Sequence, residues 1–347
     1  METNNTLAGI LALIPQPAFA VREGQIVCVN QAAAGWLISP DTPVSELLHT
    51  GLEEYRQFCA GQLYLTLLVG TTHMCASVRR MEDHDIFVLE PAESPQLQAL
   101  ALAARSLREP LAGAMLAADK LRSDDNSEES AQLNRRLHQL LRLVGNMADG
   151  EHCLHPSRAH LEVRNAGAVI HEIIEKAAQL LTQTGLQIDY QPLREEILCP
   201  LDTEVLERGI LNILSNAAKQ APKGQLTIRV TRRNNLLRLA FHDSGAAISD
   251  EALAAAHIAY QRPAGLETPD RGIGLGMVMI RAAAAAHEGS VLIDKPQEGG
   301  TRLTLTLRIL PCKDASFRSK LLRPDYAGER DHAMIELSEQ LPAKFYQ

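Results

Sequence analysis

The sequence predicts a multidomain α+β chain: a small α/β segment, an antiparallel helical hairpin and an α/β sandwich, in that order. Three observations predict it. The length of 347 residues exceeds what one ordinary hydrophobic core organises. The middle of the chain carries two apolar stripes at heptad spacing. From Asp202 to Thr301 an amide-bearing helix, a strand-end carboxylate and a glycine-rich loop follow one another within about a hundred residues. The boundaries fall at residues 1–93, 94–150 and 151–310, with a tail at 311–347.

Composition narrows the function. Apolar residues make up 46% and charged residues 22% of the chain, which places it among folded, soluble proteins. A net charge of -8 argues against binding nucleic acid through a basic surface, and 4% aromatics argue against base-stacking platforms. The six cysteines (Cys28, Cys59, Cys75, Cys153, Cys199, Cys312) contain no Cys-x-x-Cys pair. They suggest neither a disulfide framework nor a zinc site. The most apolar stretch, Leu7 to Ala20, is broken by Pro15 and Pro17 and has no basic start. It is too short to span a bilayer, so a cytoplasmic chain without a membrane span is expected.

In the first segment, Ala18 to Val29 reads as two strands turning at Glu23-Gly24, followed by a helix over Gln31 to Leu37. Three more strands are expected at Tyr64–Val69, Met74–Arg79 and Ile86–Leu89. This order, with "Ile-Pro-Gln-Pro-Ala-Phe-Ala-Val" before "Gly-Gln-Ile-Val-Cys-Val-Asn-Gln-Ala-Ala", resembles a PAS sensor domain. Nothing here identifies a ligand. Cys28, Trp36 and His73 read as core or surface residues.

The hairpin begins at Pro95. Leu97, Leu100, Ala104, Leu107, Leu111, Ala114, Ala118 and Leu121 advance in steps of three and four, as an a/d seam does. The polar turn Ser123 to Glu128 separates them from Leu133, Leu137, Leu140, Val144 and Met147. Two such helices cannot bury both stripes alone, so a dimeric four-helix bundle through residues 94–150 is expected. Pro110 lies inside the first helix, where it removes a hydrogen-bond donor and is expected to kink the chain.

The run Arg105-Ser106-Leu107-Arg108-Glu109-Pro110-Leu111 resembles the phosphoacceptor stretch of sensor histidine kinases, in which a histidine precedes the proline by five residues. Here that position holds Arg105. A guanidinium stays protonated and has no free lone pair to attack phosphorus. The acidic residue that follows the histidine in the family is Ser106, and the polar residue that serves phosphatase action is Glu109. A dimerisation hairpin without a phosphoacceptor is therefore favoured. His138, His152 and His155 are the alternative acceptors.

In the last segment, strands and helices alternate as strand (160–163), helix (167–184), strand (186–190), helix (203–220), two strands (225–232 and 236–242), helix (277–287) and two strands (290–294 and 301–307). Asn212, Asn216 and Lys219 share one helix face. Amide oxygens suit magnesium, and a lysine one turn on supplies a point charge for phosphate. Asp243 ends a strand before a tight turn at Gly245. Gly272, Gly274 and Gly276 let backbone amides approach an anion at a helix start. Their spacing fits neither a Rossmann nor a Walker loop. Gly299-Gly300-Thr301 opens the final strand.

Asn216 alone could be an exposed polar residue, and the glycine loop merely flexible. Together and in this order, the motifs resemble the Bergerat-type ATP-binding domain shared by histidine kinases, gyrase-type enzymes, mismatch-repair ATPases and large chaperones. The resemblance implies ATP and Mg2+ as cofactors. It assigns Asn216 to the metal, Asn212 and Lys219 to the phosphates, Asp243 to the adenine amino group and Thr301 to support of Asp243. Hydrolytic members carry glutamate at the Asn212 position as general base, so asparagine favours the kinase branch. Two departures stand out: Ala247 replaces the second glycine of the Asp-x-Gly-x-Gly turn, and the aromatic segment before the lid (261–271) is reduced to Ala256-His257-Ile258-Ala259-Tyr260.

The chain is thus expected to be a sensor-histidine-kinase-like protein of two-component signal transduction that binds Mg-ATP without phosphorylating itself. Alternatives are an active kinase acting on a partner or on an atypical histidine, and a scaffold with an empty pocket. Partners are a second copy of the chain and a response regulator or another kinase. The tail starts basic (Lys313, Arg318, Lys320, Arg323) and ends in an amphipathic stretch, Met334 to Leu341, which packs on the ATP domain or binds a partner.

Overall fold

The computed structural model describes residues 2–48, 50–81, 83–91, 95–124, 127–153, 159–249, 275–310 and 330–347. The chain begins with α1 (Glu2–Ala12), β1 (Ala18–Arg22), β2 (Gln25–Val29), α2 (Gln31–Gly35), α3 (Leu52–Gln57), β3 (Gln62–Val69), β4 (Thr72–Arg80) and β5 (Asp85–Pro91). Alternating apolar residues turn one face of this sheet into a core, in which the Phe19 and Phe87 rings stack 4.8 Å apart. Asn30 ties the segment together. Its Oδ1 accepts from Ala33 N at the start of α2 and from Ala18 N, and its amide nitrogen donates to Ile14 O and Gln16 O. The sequence pattern anticipates all five strands to within two residues but not α1 or α3.

Two long helices follow, α4 (Pro95–Asp124) and α5 (Glu128–Cys153). α4 runs through Pro110 as one helix. Within the chain, Ala104, Leu111, Met115 and Ala118 pack on Leu137, Leu141, Val144 and Ala148. The expected seam is only partly buried there. Leu107 is 48% exposed, and Leu133 and Leu140 also face outward, as do Leu102 and Leu116. A two-helix hairpin has one internal contact face and leaves the rest of a wide stripe open.

The last segment contains β6 (Glu162–Asn165), α6 (Ala166–Thr182), β7 (Gln187–Gln191), β8 (Leu198–Leu201), α7 (Thr203–Gln220), β9 (Gln225–Arg233) and β10 (Leu236–Asp243). It continues with α8 (Gly276–Ala286), β11 (Val291–Asp294), β12 (Thr301–Arg308) and α9 (His332–Glu336). The strand expected at 160–163 lies two residues later and pairs with β8, which Pro200 concealed in the sequence. The pairing is mixed: β7 runs parallel to β9, and the other pairs are antiparallel. α6, α7 and α8 contribute Ile170, Ile174, Leu206, Ile210, Leu214 and Ile280 to the core beneath it.

The sequence suggests two separate sheets, but among the described residues ten strands form one, in the order β2-β1-β5-β4-β3-β11-β12-β10-β9-β7. The join is between β3 and β11, with Tyr64 opposite Val291 and Gln62 opposite Ile293. Each would otherwise be an edge strand with a row of unpaired amides and carbonyls. Side chains close the junction. Arg281 on α8 pairs with Glu90 at 3.2 Å and lies 5.4 Å from the centre of the Tyr64 ring, while Thr306 Oγ1 donates to Glu54 at 3.0 Å. Among the described residues, no helix is long and apolar enough to cross a membrane.

Candidate nucleotide site

α7 starts where Asp202 accepts from Val205 N (3.2 Å) and from His160 N (2.7 Å). The Asp202 backbone N–H donates to His287 Nε2 at 3.0 Å, which leaves Nδ1 to donate to Ala283 O at 2.7 Å. Burial pushes the His287 imidazole below its ordinary value, so the neutral ring is favoured. This anchoring fixes the rotation of α7 and presents Asn212, Asn216 and Lys219 on one side. Asn212 is fully buried; the other two are half-buried.

α8 packs closely on α7. A Cβ at Gly209 would lie 2.5 Å from Ala283 Cβ, and one at Gly276 would lie 3.0 Å from Asn212 Oδ1 and 3.9 Å from Asn216 Nδ2. The N-terminus of α8 therefore meets the amide face of α7. Gly272 and Gly274, residues 256–260 and the lid lie outside the described residues.

The strand-end carboxylate is built from backbone. Asp243 ends β10 opposite Thr301 on β12, and its Oδ1 accepts from Gly245 N at 2.9 Å. A Cβ on Gly245 would sit 2.4 Å from Gln220 O, the last residue of α7. Gly300, at φ 73°, lets β12 pass so close that a Cβ would fall 1.8 Å from Asp243 O. Desolvation pushes the Asp243 carboxyl above its ordinary value, although amides of Gly245 and Thr301 and the His242 ring oppose the shift. The Thr301 hydroxyl accepts from Ile248 N at 3.1 Å, which anchors the chain leaving the Asp243 turn. Ala247 is exposed.

Sequence reasoning missed the other half of the site. Arg142 on α5 reaches α7, where its Nη2 donates to Asn212 Oδ1 and Ser215 Oγ, both at 3.2 Å. Its Nε meets Glu336 Oε2 at 3.0 Å, and its Nη1 lies 3.3 Å from Glu339 Oε2. Asn212 Nδ2 donates to the same Glu336 oxygen at 3.2 Å. Arg208 bonds Asn146 at 2.7 Å and lies 3.6 Å from Glu336 Oε1. Lys219 pairs with Glu339, and Ser215 with Gln340. Burial raises the Glu339 carboxyl, but Arg142 and Lys219 outweigh it and hold it below its ordinary value. The one signal for this in the sequence was a pair of glutamates three apart in the amphipathic stretch.

Arg105 and Glu109 are exposed on α4. His138 is half-buried: its Nδ1 lies 2.8 Å from Asn134 O, and its ring sits 4.8 Å from Tyr346. His152 lies at the end of α5, and His155 lies outside the described residues.

The donor set suits a nucleotide with magnesium. Three cationic side chains (Arg142, Arg208, Lys219) and the Asn212 amide converge on carboxylate oxygens, whose charge and acceptor geometry stand in for phosphate oxygens. A desolvated carboxylate acceptor ends the neighbouring strand.

This fold and site define an ATP-binding module of the GHKL class. Residues 201–311 match the family "Histidine kinase-, DNA gyrase B-, and HSP90-like ATPase". The chain is 27% identical to the histidine protein kinase DivJ of Caulobacter vibrioides over 61% of its own length and 37% of that kinase. It is 25% identical to the adaptive-response sensory kinase SasA of Microcystis aeruginosa over 61% of its length and 59% of that protein. It thus spans well under two thirds of these curated relatives. Among solved structures, full-length ShkA in complex with AMPPNP matches with TM-score 0.47 and 21% identity, over 60% of this chain and 45% of that one. Residues 201–311 thus carry a GHKL-type ATPase domain, and the chain is similar to sensor histidine kinases over about three fifths of its length.

Proposed function

We propose that this protein is a cytoplasmic two-component signalling regulator that binds Mg-ATP and does not phosphorylate itself. Residues 1–93 form a PAS-like sensor, 94–150 a dimerisation hairpin and 151–310 the ATP-binding domain. The strand order β2-β1-β5-β4-β3 supports the first assignment, and exposed Leu102, Leu107, Leu116, Leu133 and Leu140 support the second.

Asp243 accepts from the adenine amino group, steadied by Gly245 and Thr301. Asn216 holds Mg2+, and Asn212, Lys219 and Gly272, Gly274 and Gly276 face the phosphates. The bound metal supplies charge neutralisation of the phosphate oxygens. A response regulator or another kinase is the partner that reads the bound state.

The observation that carries this reading is the convergence of the α7 amide face, the start of α8 and Asp243, in a chain whose acceptor position holds Arg105. Radiolabelled ATP tests it. Purified protein should bind Mg-ATP, lose binding in Asn216→Ala, and acquire no acid-labile label. Label that disappears in His138→Ala would establish the active-kinase reading instead.

A further inference from the structure

We infer that the C-terminal segment 330–347 is an intramolecular competitor of the nucleotide, placing two carboxylates where the phosphates go and bracing the ATP-binding domain against the hairpin. This rests on the ATP-binding reading above and adds a regulatory contact to the same site.

Three features carry it. The first is position. Glu336 is fully buried and bonds Asn212 itself, while Glu339 pairs with Lys219. Two of the three α7 side chains assigned to Mg-ATP are thus engaged by acidic side chains of the same chain. Mg-ATP cannot meet Asn212 and Lys219 unless Glu336 and Glu339 leave them.

The second is charge. Arg142, Arg208 and Lys219 would be three cations crowded on one buried face without the two glutamates. A polyanion balances them equally well, so either occupant satisfies the face and both together would oppose like charges.

The third is the brace. α9 starts at a cap in which Asp331 accepts from Ala333 N at 2.9 Å. The segment then touches every neighbouring helix. Arg330 pairs with Asp119 on α4 at 2.8 Å, His332 meets Glu207 on α7 at 2.7 Å, and Arg135 on α5 donates to Ser338 O and Glu339 O. Ile335 packs in the hairpin core, while Ala333, Leu337, Leu341 and Tyr346 pack in the core of the ATP-binding domain. Tyr346 OH donates to Met334 O at 2.7 Å, closing the segment on itself. An occupant that displaces the two carboxylates therefore loosens the hold between hairpin and ATP-binding domain, which gives nucleotide binding a structural readout without phosphoryl transfer.

The test compares Mg-ATP affinity by calorimetry in the full chain and in Glu339→Gln and Glu336→Gln/Glu339→Gln, substitutions that keep shape and remove charge. Affinity should rise at least threefold in the single variant and at least tenfold in the double. Because the double variant alters a buried network, the wild type supplies a second reading: a glutamate-specific protease should cut at Glu336 and Glu339 faster when Mg-ATP is added. Wild-type binding with no gain in Glu339→Gln and no faster cleavage overturns this inference and leaves the ATP-binding reading standing. Absence of Mg-ATP binding in the wild type and in both variants overturns both.

Discussion

The two ends of the proposed pocket, the turn at Asp243 and the α7 face at Asn212 and Lys219, differ in what satisfies their polar groups. Asp243 is held by amides from its own turn and the neighbouring strand, at Gly245 and Thr301. These contacts lie within the sandwich and leave the carboxylate under-solvated, with its pKa raised. Asn212 donates to Arg208 O on its own helix at 2.9 Å, but its other contacts and the Lys219 ion pair come from outside the sandwich, from Arg142 on α5 and from Glu336 and Glu339. One end is a local turn shaped by glycines; the other is a junction of three parts of the chain. Substitution at the first should affect ligand binding alone, and substitution at the second should affect stability and domain docking as well as affinity.

The largest effect separating the two ends is expected at Arg142. Arg142→Ala leaves the buried Glu336 with a poorer set of partners and should lower unfolding free energy by about 3 kcal/mol, read from urea midpoints. If Arg142→Ala unfolds at the wild-type midpoint, the junction is not holding the domains.

At the other end, Asp243→Asn should weaken Mg-ATP by about 2 kcal/mol, roughly thirtyfold, since a charged acceptor for the adenine amino group is lost. Its urea midpoint should stay within error of wild type or rise, because an under-solvated carboxylate has been removed. A large loss of stability with unchanged affinity would contradict the division between the ends.

A third difference is pH dependence. In the proposed role the ionised Asp243 is the acceptor, and its pKa is raised, so its contribution to affinity should disappear as pH falls through that raised value. Calorimetric affinity should therefore begin to fall at a higher pH than the ordinary aspartate value of 3.8 implies. In Asp243→Asn this acid limb should be absent.

The smallest effect concerns the anchoring of α7. The His287 pKa is lowered in the fold, so the unfolded chain binds the proton first. Its contribution is fully present above the ordinary value of 6.5 and is lost as pH falls through the window beneath it. Melting temperatures should decline on acidification below that point in wild type, and His287→Gln should show a flatter profile.

Periodicity made the five strands of the first segment and most elements of the sandwich legible, though not α1, α3 or β8, and the Asn212–Asn216–Lys219 helix is found over the expected Thr203–Gln220. These signals are local: a side-chain period of two or 3.6 is written in consecutive residues. What was not legible is long-range. The β3–β11 pairing joins residues more than two hundred apart, and nothing in either strand names its partner. Arg142 carries no mark that sets it apart in the hairpin, and Glu336 lies inside the amphipathic stretch Met334 to Leu341 without one. Their meaning arises only when α5, α7 and the C-terminal segment meet, which burial of Asn212 demands and sequence spacing does not encode. The Gly245 and Gly300 turns lie between these cases: the glycines were visible, but the 1.8 Å approach that requires Gly300 was not.

Hydrogen exchange of the full chain with and without a non-hydrolysable Mg-ATP analogue tests the central claim most directly. Amides 243–249 should gain protection while amides 333–341 lose it, because nucleotide phosphates replace the glutamates. Protection rising in both segments, with saturable binding, would contradict the account.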